Sequence, residues 1–223
     1  MLTSVRAVLF DAVGTLIYSD PPVAEVYYNA GCANGSALSI AEIKKRFGRA
    51  LARHFIAEQT DEASERCRWS RVVAEVFSDI DDTNSLFEQL WHHFSDHRHW
   101  TVYDDIHDTW HQLEARGMPV AIASNFDRRL LGIASHLTPL DRAQSIFFSA
   151  QLGYTKPHRQ FFRSIERALQ LRPDQLLLVG DDPINDHWGA TQAGWHSLLL
   201  KRSGDVCGNC VITSPQSIFD VIA

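Results

Sequence analysis

The segment VRAVLFDAVGTL, residues 5–16, is the part of the sequence that decides the fold. Its apolar run, residues 5–10, is typical of a strand that is buried on both faces, and Asp11 follows directly, before a turn that contains Gly14 and Thr15. In an open parallel sheet, ligands bind outside the carboxyl ends of the strands. The position of Asp11 therefore favours chemistry over packing.

Composition excludes several classes of protein. The chain has 223 residues, of which 45% are apolar, and this is enough for one domain with an insertion or for two small domains. The formal charge is −6 and the 21 Lys and Arg residues are scattered, so nucleic acid is not expected as a partner. No segment reaches the ~20 apolar residues that span a bilayer, and no signal-peptide cleavage site is recognisable. We therefore expect a cytoplasmic protein without a membrane partner.

The four cysteines are too few and too irregularly spaced for a disulfide framework, and we expect them to be reduced. Cys207-Gly-Asn-Cys210 has the spacing of half a zinc site or of a redox pair. No second pair of ligands completes such a site, so two loop cysteines are the favoured interpretation.

The hydrophobic pattern changes near residue 100. Between residues 23 and 97, apolar residues recur at helical spacing in four amphipathic segments, which predicts a helical insertion. From residue 104, the pattern predicts helices over 104–116, 128–137, 158–171 and 186–193 and strands over 120–124, 145–149, 176–179 and 196–200. This alternation indicates an α/β fold with a parallel sheet covered on both faces. We predict a core domain of residues 1–17 and 101–223 and a helical cap domain of residues 18–100.

Two later segments offer groups that bind anions. Ser124 and Asn125 follow the predicted strand 120–124, where free amide N–H groups and the Ser124 hydroxyl can hold phosphate oxygens. Lys156 precedes Pro157 at the start of a predicted helix, and the proline restricts the backbone of the lysine. A solvated surface lysine and an ordinary helix cap, for which Asp127 is suited, are the alternatives for these segments.

A cluster of acids follows the predicted strand 176–179. Asp181, Asp182 and Asp186 would repel one another unless a cation lay among them, and carboxylate oxygens are ligands that suit Mg²⁺. Capping of a helix explains one of these acids, either Asp182 or Asp186, but not all three.

The order of these residues along the chain resembles the four motifs of the haloacid dehalogenase-like hydrolase superfamily. The resemblance implies a Rossmann-like parallel core with an inserted helical cap, and it implies Asp11 as the nucleophile. It further implies that Lys156 neutralises the nucleophile and the transferring group, and that Ser124, Asn125 and Lys156 bind the substrate.

The same resemblance implies a Mg²⁺ site. Its ligands would be Asp11, the carbonyl group of Val13 and Asp181, with Asp186 acting through water or through the residues around the metal. The segment SNFDRRL, residues 124–130, and the cap that contains Trp69 are most similar to the branch of haloacid dehalogenase-like hydrolase domain-containing protein 3 and the rhythmically expressed gene 2 product.

Val13 departs from the superfamily pattern. Most phosphatases of the superfamily carry a second aspartate there, which protonates the leaving group and activates water. The resemblance implies a Mg²⁺-dependent phosphatase for a small phosphorylated molecule, monomeric or homodimeric, whose turnover is weakened or specialised by Val13. A haloacid dehalogenase, a phosphonatase-like hydrolase and a non-catalytic metal- or ligand-binding protein are the alternatives.

Overall fold

The computed structural model describes residues 2–54, 58–203, 208 and 210–222. The strands of these residues are β1 (Ala7–Phe10), β2 (Ile17–Ser19), β3 (Trp100–Val102), β4 (Val120–Ser124), β5 (Ser145–Phe148), β6 (Leu176–Gly180), β7 (His196–Leu200) and β8 (Val211–Ile212). The helices are α1 (Val23–Ala33), α2 (Ile40–Arg53), α3 (Glu62–Val76), α4 (Thr83–His93), α5 (Asp104–Ala115), α6 (Arg129–Ala134), α7 (Ser149–Leu152), α8 (Arg159–Leu169) and α9 (Gly189–Ala193).

Six strands form one parallel sheet in the order β5-β4-β1-β6-β7-β8. Every residue of β1 is buried, because helices cover both faces of the sheet. Phe10 packs on one face against Trp110 of α5, with ring centroids 6.2 Å apart. Leu9 points to the opposite face, where Phe161 and Phe162 of α8 are buried. The predicted α/β core with a parallel sheet is confirmed.

The four predicted helices between β2 and β3 are also present. Helix α1 packs against α2 and α4, and α3 packs against α2 and α4, so the helices form a bundle with a hydrophobic core of its own. Three of them begin at residues whose side chains accept hydrogen bonds from the first turn, namely Ser39, Asp61 and Asp82. Local capping and a shared apolar core therefore both favour this bundle.

A short two-stranded sheet connects the bundle to the parallel sheet and was not predicted. Ile17 to Ser19 in β2 pair antiparallel with Val102 to Trp100 in β3. Three residues are too few for an alternating pattern to be recognised in the sequence. This sheet lies at the predicted junction between core and cap, whose bounds stay a prediction.

Two predicted helices differ from the observed helices by three residues at one end, whereas the other two predicted for the core agree within two residues. The helix predicted for 128–137 is confined to α6. The helix predicted for 186–193 is observed as a π-helical turn, Pro183–Trp188, that starts three residues earlier and leads into α9. Asp182 caps that turn, which moves the start of the helical segment towards β6. The turn brings Asp186 back towards the sheet.

None of the described helices is both long enough and apolar enough to cross a bilayer. Cys32, Cys67 and Cys210 are free thiols. Cys207, the other member of the predicted pair of loop cysteines, lies outside the described residues.

Candidate active site

The carboxyl ends of β1, β4 and β6 meet at one edge of the sheet and carry the predicted site. Asp11 follows β1 and is buried, and its backbone N–H donates to the carbonyl oxygen of Val179 at 2.9 Å. Lys156 comes from the loop before α8 and is only 3% exposed. Its Nζ donates to Asp11 Oδ1 at 2.7 Å and to the carbonyl oxygen of Ala123 at 2.8 Å. The predicted nucleophile and the predicted lysine are therefore in direct contact.

Asp186 is the third partner of the lysine ammonium group. Lys156 Nζ donates to Asp186 Oδ1 at 2.5 Å, and Asp186 Oδ2 accepts from the backbone N–H of Asp182 at 3.0 Å. Burial opposes the charged form of Lys156, but the charges of Asp11 and Asp186 outweigh burial and raise the lysine pKa above its ordinary value. The lysine therefore remains protonated throughout the neutral range.

Asp181 lies at the outer rim of this cluster. Although the residue as a whole is exposed, its carboxylate is crowded by neighbours, and this partial burial together with the charge of Asp11 raises the pKa of Asp181. Asp181 Oδ1 accepts from Thr15 Oγ1 at 3.0 Å. Gly14, which has φ +90°, passes so close that a Cβ atom would lie 2.5 Å from Asp181 Oδ2. Glycine thus allows the turn after β1 to approach this carboxylate.

This donor set fits a hard divalent cation. Carboxylate oxygens of Asp11, Asp181 and Asp186 lie within 4.8 Å of one another. Lys156 compensates only one of the three negative charges, and the remaining two match the charge of Mg²⁺. Burial raises the pKa of Asp181 most, and the negative charge of Asp11 raises it further, so a cation bound here would relieve both effects.

Asp182 has a different position. Its carboxylate accepts from the backbone N–H groups of Ile184 and Asn185, both at 2.8 Å, and from the Asn185 side chain at 2.9 Å. These are the bonds of a helix cap. The capping interpretation therefore holds for Asp182, while Asp181 and Asp186 belong to the acidic cluster.

The acidic cluster lines a pocket with a volume of about 170 Å³, and Ser124 and Asn125 line this pocket too. Ser124 is buried at the end of β4. The Asn125 side chain, however, is engaged at both ends by the lysine loop: its Nδ2 donates to the carbonyl oxygen of Lys156 at 2.9 Å, and its Oδ1 accepts from the Lys156 N–H at 2.7 Å. Asn125 therefore fixes the backbone of Lys156, and its predicted contact with substrate stays a prediction.

Val13 lies at the rim of this pocket with 40% of its surface exposed. The turn that carries it is held by backbone bonds: the Gly14 N–H donates to the carbonyl oxygen of Ile17 at 2.9 Å, and the Leu16 N–H donates to that of Ala12 at 2.8 Å. The Val13 side chain is consequently available to ligands and is not needed to form the turn.

Arg202, which follows β7, also supports the turn and was missed by the sequence analysis. Its guanidinium group donates to the carbonyl oxygen of Thr15 at 2.7 Å and to both carboxylate oxygens of Asp105, at 2.9 and 2.7 Å. It also stacks on Tyr103 at 3.6 Å. No motif signals this residue, because its partners are separated from it by 97 residues or more.

The cap contacts the loop that carries the lysine. The Thr60 N–H donates to the carbonyl oxygen of Gly153 at 3.2 Å, and the Thr155 N–H donates to that of Glu58 at 3.0 Å. The segment between α2 and α3 is therefore joined by backbone hydrogen bonds to the loop that carries Lys156.

The fold and the cluster at the sheet edge define a haloacid dehalogenase-like hydrolase. The chain matches this family over residues 5–194 and belongs to it.

Its relatives include the predicted branch. The chain is 27% identical to haloacid dehalogenase-like hydrolase domain-containing protein 3 of Xenopus laevis, over 96% of this chain and 94% of that protein. It is 23% identical to the rhythmically expressed gene 2 protein of Drosophila melanogaster, over 90% and 85%. It is 28% identical to a phosphoglycolate phosphatase of Pectobacterium atrosepticum, over 100% and 91%. The predicted resemblance is confirmed.

Solved structures share the fold. The HAD-hydrolase YfnB of Bacillus subtilis, bound to magnesium, superposes with a TM-score of 0.77 at 18% identity, over 98% of this chain and 99% of that chain. A dehalogenase with an intermediate complex gives a TM-score of 0.72 at 20% identity, over 100% and 99%.

Proposed function

We propose that the protein is a Mg²⁺-dependent phosphatase that acts on a small phosphate ester through an aspartyl-phosphate at Asp11. The observation that carries the proposal is the contact of the Asp11 carboxylate with the buried Lys156 ammonium group, inside a cluster that retains two uncompensated negative charges. Such a site binds a phosphoryl group only together with a cation, because carboxylates repel phosphate.

Each residue of the site has a distinct role in the proposed transfer of the phosphoryl group. Asp11 forms a bond to phosphorus while the bond to the leaving oxygen breaks, and the leaving group takes its proton from solvent. Lys156 is already held by Asp11 and Asp186, so its charge is in position before the substrate arrives. Ser124 at the end of β4 and the amide N–H groups after it are the donors for the phosphoryl oxygens.

Asp11, Asp181 and the Val13 carbonyl group would hold the Mg²⁺ ion, which screens the phosphoryl charge when bound. Asp186 has both oxygens engaged by Lys156 and by the Asp182 N–H, and this supports a role around the metal and not in direct contact with it. The magnesium bound to the related YfnB structure supports the choice of metal.

Hydrolysis of the aspartyl-phosphate needs a water molecule that loses a proton to solvent or to a base, and it regenerates the Asp11 carboxylate and releases phosphate. Val13 supplies no base. General acid and base catalysis contributes about 10²–10⁴ in rate, so we propose that this second step is slow. Substrates with good leaving groups would then react quickly in the first step only.

Replacement of the nucleophile tests the function. Asp11→Asn should abolish Mg²⁺-dependent phosphate release from acetyl phosphate, because an amide oxygen does not form the covalent intermediate. Asp108→Asn is the matched control, since Asp108 is exposed on α5 and makes the same change of charge outside the site. Phosphate release by Asp11→Asn at the rate of the unchanged protein would refute the proposal.

A haloacid dehalogenase is the second candidate. The apolar Val13 and the similarity to the dehalogenase structure favour it. The excess negative charge around Asp11 opposes it, because a haloacid carries a carboxylate. Halide release from a 2-haloacid that persists in EDTA, without phosphate release from acetyl phosphate, would establish this candidate. A magnesium-dependent shift in melting temperature without either reaction would indicate a binding protein.

A further inference from the structure

A second cavity of about 290 Å³ lies between the cap and the core and adjoins the acidic pocket. Val13 and Asn125 line both cavities. The walls are formed mainly by apolar and aromatic side chains, and those that carry the argument are Val23, Tyr27, Phe47, Leu51, Trp69 and Phe126. Because the two cavities share walls, a group bound in the second cavity lies next to a phosphoryl group bound in the first.

The charged residues that line this cavity are neutralised by partners within the protein. Glu65 accepts from Thr60 Oγ1 at 2.8 Å and from the Arg68 guanidinium group at 3.0 and 3.2 Å. Arg129 donates to the two carboxylate oxygens of Asp127 at 2.8 and 2.7 Å. The charges of Glu65, Asp127 and Arg129 can therefore bind a charged ligand only if a largely buried ion pair is broken.

On the side of Val13, the apolar wall of this cavity continues into the pocket that contains Asp11. Val13 is at the junction, where an aspartate would place a charge at the entrance of the cavity. The valine that removes a base from the site thus also extends an apolar wall to the position of the leaving group.

The size of the cavity limits its occupant. An apolar cavity of about 150 Å³ is sufficient for benzene, so a cavity of 290 Å³ accommodates one or two rings or a branched aliphatic group of that size. In the proposed function, the phosphoryl group occupies the neighbouring pocket of about 170 Å³. A short polar acid or a sugar would leave the apolar walls of the cavity hydrated.

We propose, on the basis of the phosphatase function above, that the substrate class is a monophosphate of an apolar organic group, aromatic or branched aliphatic, which fills the cavity between cap and core. The organic group contacts Leu51 and Trp69 of the cap and Val13 of the core.

Acyl phosphates are suitable substrates for testing this proposal, because their carboxylate leaving groups need no proton donor. Benzoyl phosphate and acetyl phosphate have leaving groups of similar basicity but differ by an aromatic ring. With Mg²⁺ present, kcat/KM should be about 10- to 100-fold higher for benzoyl phosphate, because the ring buries apolar surface in the cavity. Leu51→Gln should reduce this ratio several-fold, whereas Leu131→Gln, the same change at an exposed position of α6 outside the cavity, should not.

A measurement on the unchanged protein covers the case in which Leu51→Gln does not fold. Benzylphosphonate should inhibit acetyl phosphate hydrolysis at about one tenth of the concentration that methylphosphonate requires. Equal inhibition, or equal kcat/KM for the two acyl phosphates, would overturn the substrate class while Asp11-dependent hydrolysis of acetyl phosphate would still support the phosphatase function. Absence of phosphate release from both compounds would overturn the function and the substrate class together.

Discussion

Val13→Asp is the most informative single substitution, because it adds the one carboxylate by which this site differs from the usual phosphatase arrangement. The backbone bonds of Gly14 and Leu16 hold the turn independently of the side chain at position 13. With 40% of Val13 exposed, an aspartate there remains partly hydrated and ionised at neutral pH. We therefore expect a folded protein that has gained a general base.

The size of the effect follows from the chemistry of that base. The hydrolysis of the aspartyl-phosphate, which is the slow second step, should accelerate by up to about 10²–10⁴. This factor equals ~2.7–5.4 kcal/mol of activation free energy. The loss of apolar contacts by a side chain that is already partly exposed should lower the free energy of unfolding by only about 1–2 kcal/mol. A further negative charge beside Asp11, Asp181 and Asp186 should also strengthen the requirement for Mg²⁺.

Rapid mixing with p-nitrophenyl phosphate measures both steps. The unchanged protein should release a burst of one p-nitrophenolate per active site and then turn over slowly, and Val13→Asp should abolish the burst by accelerating the second step. Val13→Asn is the control, because asparagine has nearly the same shape as aspartate but cannot act as a base. If the unchanged protein shows no burst and turns over as fast as Val13→Asp, another residue acts as the base and the reasoning is refuted.

Three further predictions concern the metal, the support of the turn and the response to pH. Mg²⁺ should raise the melting temperature, and EDTA should reverse the rise. In thermal unfolding with and without Mg²⁺, Asp181→Asn should remove most of this shift, whereas Asp182→Asn should retain it. Arg202→Lys should lower the free energy of unfolding in urea by about 1–2 kcal/mol and reduce kcat, because lysine cannot donate to Thr15 and Asp105 with the same planar geometry; unchanged unfolding and kcat would contradict this. Burial and the charge of His99 lower the pKa of His93, so the folded state binds fewer protons than the unfolded state and stability should decline as the pH falls through the ordinary histidine range. In His93→Gln the loss of melting temperature between pH 7.5 and pH 5.5 should be smaller, and an equal loss would exclude His93 as its source.

The sequence was sufficient to predict the core and the position of the acidic cluster. Apolar runs that end in polar residues fix the strands, and in a parallel sheet the carboxyl ends of adjacent strands meet. Asp11 and Asp181, which follow the adjacent strands β1 and β6, are consequently brought together, and the loop before α8 adds Lys156 from 145 residues away from Asp11. Helical periodicity likewise predicted the four helices between β2 and β3.

The sequence was insufficient where a role depends on which partner a side chain contacts. The sequence did not indicate that the Asn125 amide group holds the backbone of Lys156, and the predicted contact of Asn125 with substrate stays a prediction. The sequence predicted Asp181 and Asp186 for the metal site and left the role of Asp182 open, and the geometry assigns Asp182 to a helix cap. Arg202 carries no local signal at all, because its contacts with the turn arise only from the packing of distant segments.

The position of Val13 between two cavities links the rate of turnover with the choice of substrate. A carboxylate there would serve the second chemical step, but it would also place a charge where the organic group of the substrate enters the apolar cavity. Val13→Asp should therefore accelerate the hydrolysis of acetyl phosphate and, at the same time, reduce the preference for benzoyl phosphate over acetyl phosphate. Faster turnover with an undiminished preference would show that the leaving group does not pass Val13, and the contact between the organic group and this residue would be wrong even if the base were correctly placed.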